Sequence, residues 1–158
     1  MKILVMSDSH GNLKGVEKAL KKLGSNADVV VHCGDGTRGE GMWLKENCGD
    51  KKVVCVRGNC DFTGNMKDVE YFEACGKKIM VTHGHLFGVK YGLERLSYKA
   101  EEEGASLVFF GHTHIPTDER IGAARLINPG SLGRFEPCCA VVELDEKGNV
   151  LVNHVGVK

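Results

Sequence analysis

Five apolar runs in this sequence each stop at a small polar cluster that could do chemistry. Asp8 and His10 follow the run 3–6, and Asp35 follows 28–33 in "HCGDG". Asn59 and Cys60 follow 53–56, His83 and His85 follow "IMVT", and His112 and His114 follow "VFF". Two carboxylates, several imidazoles and an amide oxygen are the ligands of borderline first-row ions such as Mn²⁺, Fe²⁺, Ni²⁺ or Zn²⁺. Calcium or magnesium alone would call for more oxygens. Seven candidate ligands, Asp8, His10, Asp35, Asn59, His83, His112 and His114, exceed the need of one ion. They suit two ions about 3.5–4 Å apart with one carboxylate shared between them. Asn59 then completes a coordination sphere without adding charge. Two divalent ions against Asp8 and Asp35 leave the site positive, which favours attack on an anionic phosphate ester.

The elements that must position these groups can be read from the same runs. The runs 3–6, 28–33 and 53–56 are expected to be buried strands, with helices over 12–24 and 41–47 between them. Leu13, Val16, Ala19, Leu20 and Leu23 share one helical face, and Gly24 supplies a stop. Such alternation predicts parallel βαβ units, and open α/β sheets bind ligands just beyond the carboxyl ends of their strands. Residues 69–83 read as a hairpin turning at Gly76-Lys77, 89–103 as a helix, 106–110 as another buried strand, and 117–157 as three or four further strands. With 158 residues and neither a linker nor a repeat, a single domain over 1–158 is expected.

Composition narrows the function classes. Apolar residues make 42% and charged residues 27%, with 21 basic against 21 acidic side chains and zero formal net charge. Nothing global therefore points to nucleic acid or a membrane surface as partner. Seven cysteines without a C-x-x-C pair argue against a zinc ribbon or a thioredoxin-type redox pair and read as reduced thiols. The start "MKILVM" is too short for a signal-peptide core. A cytoplasmic location is expected. Domains of this size commonly pair symmetrically, so a homodimer is one expected state.

At these motifs the sequence resembles the calcineurin-like metallophosphoesterases, whose pattern runs D-x-H, G-D, G-N-H, a lone H and G-H-x-H. Here the motifs stand as Asp8-Ser9-His10, Gly34-Asp35, Gly58-Asn59-Cys60, His83 and Gly111-His112-Thr113-His114, with "NPGSLG" at 128–133 downstream. The resemblance implies an αββα sandwich, two mixed β-sheets flanked by helices. It implies one ion on Asp8, His10 and His114, the other on Asn59, His83 and His112, and Asp35 bridging. Manganese is the ion expected first, with nickel, iron or zinc as others the ligands suit. The departure is Cys60, where many members carry a histidine acid. This "GNCD" resembles the small prokaryotic phosphodiesterase branch. A thiol is a poorer acid at neutral pH, so Cys60 is expected to confine the enzyme to esters with acidic leaving groups. His85 is expected to orient a ligand from behind. Arg38 and Arg57 flank the motifs but are read as solvated.

The activity implied is hydrolysis of a small phosphodiester by a metal-held hydroxide. Two other classes compete. "GDGTRG" at 34–39 formally fits G-x-G-x-x-G, but Asp35 would face a pyrophosphate and the histidines would go unexplained. The retromer subunit of the same fold keeps much of the ligand pattern and serves as a binding platform, so a non-catalytic scaffold is the alternative.

Overall fold

The computed structural model describes residues 1–62 and 65–158. The elements run β1 (Lys2–Met6), α1 (Leu13–Leu23), β2 (Val29–His32), α2 (Glu40–Asn47), β3 (Lys52–Cys55), β4 (Val69–Ala74), β5 (Lys77–Thr82), α3 (Glu94–Glu102), β6 (Leu107–Phe109), β7 (Thr117–Ile121), β8 (Ala124–Asn128), β9 (Cys138–Leu144) and β10 (Val150–Gly156). Among the described residues the strands form two five-stranded sheets, ordered β10-β9-β1-β2-β3 and β4-β5-β6-β8-β7. Both are mixed. In the first, β1, β2 and β3 are parallel and β9 and β10 antiparallel. In the second, β5, β6 and β8 are parallel, flanked by antiparallel β4 and β7.

The apolar runs are continuous because each central strand is buried on both faces. On β1, Ile3 and Val5 point between the sheets, where they meet Val29, Val31, Ile79, Val81, Leu107 and Phe109. Leu4 and Met6 point the other way, onto Val16 and Ala19 of α1 and Leu44 of α2. Across the second sheet, Met80, Val108 and Leu126 pack on Leu96 and Ala100 of α3. Two sheets face to face, each with helices outside, make the αββα sandwich. Phe109 is wholly buried between them, and its truncation to alanine would cost about 3–5 kcal/mol.

Local chemistry explains the helix ends. The side chain of Asn12 accepts from Gly15 N at 3.0 Å to cap α1. α3 starts at Glu94, later than the expected 89, because Gly88 and Gly92 have φ of 63° and 152°. The chain just before Gly88 winds into a 3₁₀ turn over His85–Phe87. The tail gives four strands, the upper end of the expectation. No helix among the described residues is long and apolar enough to cross a membrane.

Candidate metal centre

Every candidate ligand lies on a loop leaving the carboxyl end of a strand, and the loops are tied to one another. Asp8 N donates to Gly34 O at 3.0 Å, His10 N to Asp35 O at 3.0 Å, and Gly111 N to His83 O at 3.1 Å. Five of the candidate ligands have left-handed backbone: Asp8, His10, Asp35, His112 and His114, with φ between 46° and 67°. That conformation costs an L-residue roughly 1–2 kcal/mol, and it recurs where side chains must be aimed inward from a tight turn. Two glycines make the convergence sterically feasible. A Cβ on Gly58 would collide with Asp35, and one on Gly111 with Ser7 and Asp8.

Two groups of donor atoms result. In one, Asp8 Oδ1 lies 3.0 Å from His114 Nε2 and 3.8 Å from His10 Nε2, with the two imidazole nitrogens 3.2 Å apart. In the other, Asp35 Oδ2 lies 3.3 Å from His83 Nε2. His83 Nε2 lies in turn 3.2 Å from His112 Nδ1 and 3.1 Å from Asn59 Oδ1. Asp35 Oδ2 also stands 4.0 Å from His10 Nε2, so one carboxylate oxygen reaches both groups. Asp8 Oδ1 is buried and accepts no hydrogen bond. An orphaned carboxylate oxygen surrounded by imidazole nitrogens is the donor set of a divalent cation, and the residues fit one. The Cys60 thiol also comes within ligand reach of His10 and Asp35, a proximity that the motif alone does not reveal.

Charge coupling marks the same residues. Burial pushes the Asp35 carboxyl up, but the His83 hydrogen bond and charge, with the Cys60 backbone N–H, outweigh it and hold the group well below the usual carboxylate range. Asp8 is also lowered; burial opposes the shift, and His114, His83 and Ser7 overcome it. His83 moves the other way, because Asp35 and Asp8 more than offset its burial. Burial and the neighbouring His83 charge bring His112 down to about 4. Burial, then the Asp35 carboxylate, pushes the Cys60 thiol up.

Several supporting residues escaped the sequence reading. Asp61 accepts from Asp35 N and Gly58 N at 2.8 Å each and from Thr37 N at 2.9 Å, clamping two ligand loops with one carboxylate. Its only signal was its place at the end of "GNCD". Behind the first loop, buried Ser9 Oγ lies 3.0 Å from His32 Nε2 and donates to Glu40 Oε1 at 3.3 Å. Asn128 donates to Gly111 O at 2.8 Å, and Ser131 Oγ to Asp8 O at 2.8 Å, which gives "NPGSLG" its task of bracing two ligand loops. His83 is oriented by a hydrogen bond to Cys33 O, 2.7 Å from Nδ1. The His85 ring packs 5.3 Å from that of His83 and 6.1 Å from that of His112, its Nδ1 buried without a partner. Arg57 pairs with Asp68 at 2.8 Å, and Arg38 is exposed. His154 lies apart from the cluster, on Asn128 O at 2.7 Å.

Comparison with known proteins gives one answer. The family model described as "Calcineurin-like phosphoesterase superfamily domain" matches residues 1–147. "Probable metallophosphoesterase YsnB" of Bacillus subtilis is 39% identical over 135 residues, 84% of this chain and 75% of that one. "Phosphodiesterase YfcE" of Escherichia coli is 31% identical over 153 residues, 84% of this chain and 79% of that one. Vps29 of Entamoeba histolytica, solved in complex with zinc, superposes with a TM-score of 0.76 over the full length of both chains at 19% identity, a likeness of fold alone.

Proposed function

The chain belongs to the calcineurin-like phosphoesterase superfamily, and from that premise we propose that it hydrolyses phosphate diesters with the help of two divalent cations. Asp8, His10 and His114 would hold one ion, Asn59, His83 and His112 the other, with Asp35 between. When bound, such ions polarise a phosphoryl oxygen and acidify a water, and manganese is the ion we expect first. The observation that carries the reading is the position of Asp35 Oδ2, within 4.0 Å of both His10 Nε2 and His83 Nε2.

The chain's own groups supply the rest. Asp8 and Asp35, both held below the ordinary carboxylate range, stay ionised at neutral pH and hold the imidazoles in place. His112 stays neutral and open to a ligand at any pH well above 4. Cys60 stays protonated at neutral pH and is a weak acid, so the leaving alcohol must depart with little help. That favours diesters of acidic alcohols. His85 would pack His83 and His112 in position. The reading carries with it a reducing, cytoplasmic setting, in which the thiols stay free.

The test is hydrolysis of bis(p-nitrophenyl) phosphate with added Mn²⁺ against EDTA-stripped protein whose fold is checked by circular dichroism. Turnover that comes and goes with metal is expected. A folded, Mn²⁺-loaded protein without turnover would favour the second reading, a non-catalytic scaffold, to which the fold shared with Vps29 lends support.

A further inference from the structure

A cavity of about 620 Å³ opens directly beside the metal centre, within the range of small-molecule sites. His114 belongs both to its wall and to the first group of candidate ligands. Its other walls include Pro116, Lys158 and the loop 134–137, where Arg134 and Glu136 flank Phe135. The Phe135 ring is fully exposed, and Arg134 and Glu136 enter no ion pair among the described residues. The loop is anchored to the centre. Leu132 N donates to Ser7 O at 3.1 Å and Gly133 N to Asp8 O at 2.9 Å, so the loop's first residues are fixed relative to Asp8. A second cavity of about 550 Å³ lies at the opposite end of the first sheet, around Lys2, Asp28 and Glu143, far from any candidate ligand.

We propose that the cavity beside His114 is the subsite for the retained alcohol of the diester, and that this alcohol is a nucleoside whose base stacks on Phe135. This rests on the diesterase reading and narrows its substrate class. An exposed ring offers a face to any base. The guanidinium of Arg134 and the carboxylate of Glu136, one donor and one acceptor, match the mixed edge of a nucleobase. A purely apolar group would leave these charges unused.

Two diesters with the same leaving group isolate the claim: thymidine 5′-(p-nitrophenyl phosphate) and methyl p-nitrophenyl phosphate. In each, the P–O bond to p-nitrophenolate breaks and one to the oxygen of water forms, leaving thymidine 5′-monophosphate or methyl phosphate. The quantity read is the ratio of the two kcat/KM values, which cancels changes at the metal centre. The wild type should favour the nucleoside ester, and Phe135→Ala should lower the ratio about tenfold, the scale of one lost base stack. Phe135→Tyr should restore it, and Tyr98→Ala, which removes an exposed ring on α3, should leave it unchanged. Equal ratios in the wild type and Phe135→Ala would overturn the subsite while the diesterase stands. So would an unchanged ratio accompanied by loss of a dimer, which would make Phe135 a contact between copies. If neither ester turns over, the diesterase reading fails. Calorimetric binding of thymidine 5′-monophosphate then decides the subsite by itself: binding weakened by Phe135→Ala supports it, and no binding overturns it.

Discussion

The two halves of the candidate centre are built to different standards. In the half around Asp35 and His83, these two side chains are almost wholly buried, 3% and 0% exposed, although Asn59 beside them is exposed and His112 half-buried. Each of the two has a backbone partner, Cys60 N for the carboxylate and Cys33 O for the imidazole. In the half around His10 and His114, the imidazoles are about a third exposed, at 31% and 29%. The carboxylate there, Asp8, is as buried as any residue in the chain yet keeps one oxygen without a partner. The Asp35–His83 pair is preorganised by the fold, and the open half would be completed by a cation. The open half also borders the cavity, so substrate would enter on the side where the ligands can give.

Asp35 tests that division most severely because it serves both halves. Asp35→Asn should lower kcat on bis(p-nitrophenyl) phosphate by about 10³-fold, since one oxygen is lost from the shared position and the site gains positive charge. A loss below tenfold would mean that the halves do not share a carboxylate. Next in size is a contrast between His83→Ala and His114→Ala, read by metal content as well as rate. Each should cost about a hundredfold in rate. His83→Ala should forfeit the buried ion even at high metal, whereas His114→Ala should keep it and merely hold the other weakly. Elemental analysis after gel filtration distinguishes them, and the reverse pattern would abolish the distinction.

How much of this was legible in the sequence follows from which interactions are local. The strands could be read because burial on both faces leaves unbroken apolar runs, and the candidate ligands because Asp, His and Asn at five strand ends have few structural uses together. The helix at 89–103 was misjudged at its start because apolar spacing shows no φ, and Gly88 and Gly92 set the boundary by conformation. Asp61 was passed over for a different reason. Two of its three N–H partners lie 24 and 26 residues upstream, and nothing in a carboxylate's neighbours says which distant amides it will reach. The same holds for Ser9, His32 and Glu40, brought together from three separate elements. The nearness of the Cys60 thiol to His10 likewise needs the fold.

Asp61 gives the third prediction, and it addresses what preorganises the buried half. Removing three charge-assisted N–H contacts by Asp61→Ala should cost about 2 kcal/mol of stability. That reads as a fall of roughly 4–8 °C in Tm for a chain of this size. Metal affinity should weaken about 10–100-fold, with the ion of the buried half affected first. If Tm fell without any change in metal affinity, the clamp would be stabilising the loop but not aiming the ligands.

The smallest effect is expected at Cys60, which stands where the two halves meet. Its backbone N–H donates to Asp35 Oδ1 at 2.8 Å, and any residue there can keep that contact. Burial and then the Asp35 carboxylate raise its thiol above the ordinary cysteine range. It therefore stays protonated across neutral pH, and its ionisation does not shape the rate profile there. Cys60→Ser removes a weak acid and replaces it with a weaker one of similar size. With p-nitrophenolate leaving, whose departure needs no proton, the rate should change by less than about threefold. With a poorer leaving group the loss should grow, if the thiol contributes at all. A hundredfold loss on the aryl ester would show instead that sulfur touches the reacting atoms or a cation. It would then join the two halves into one site with a second shared ligand, and the division between them would have to be redrawn around Cys60.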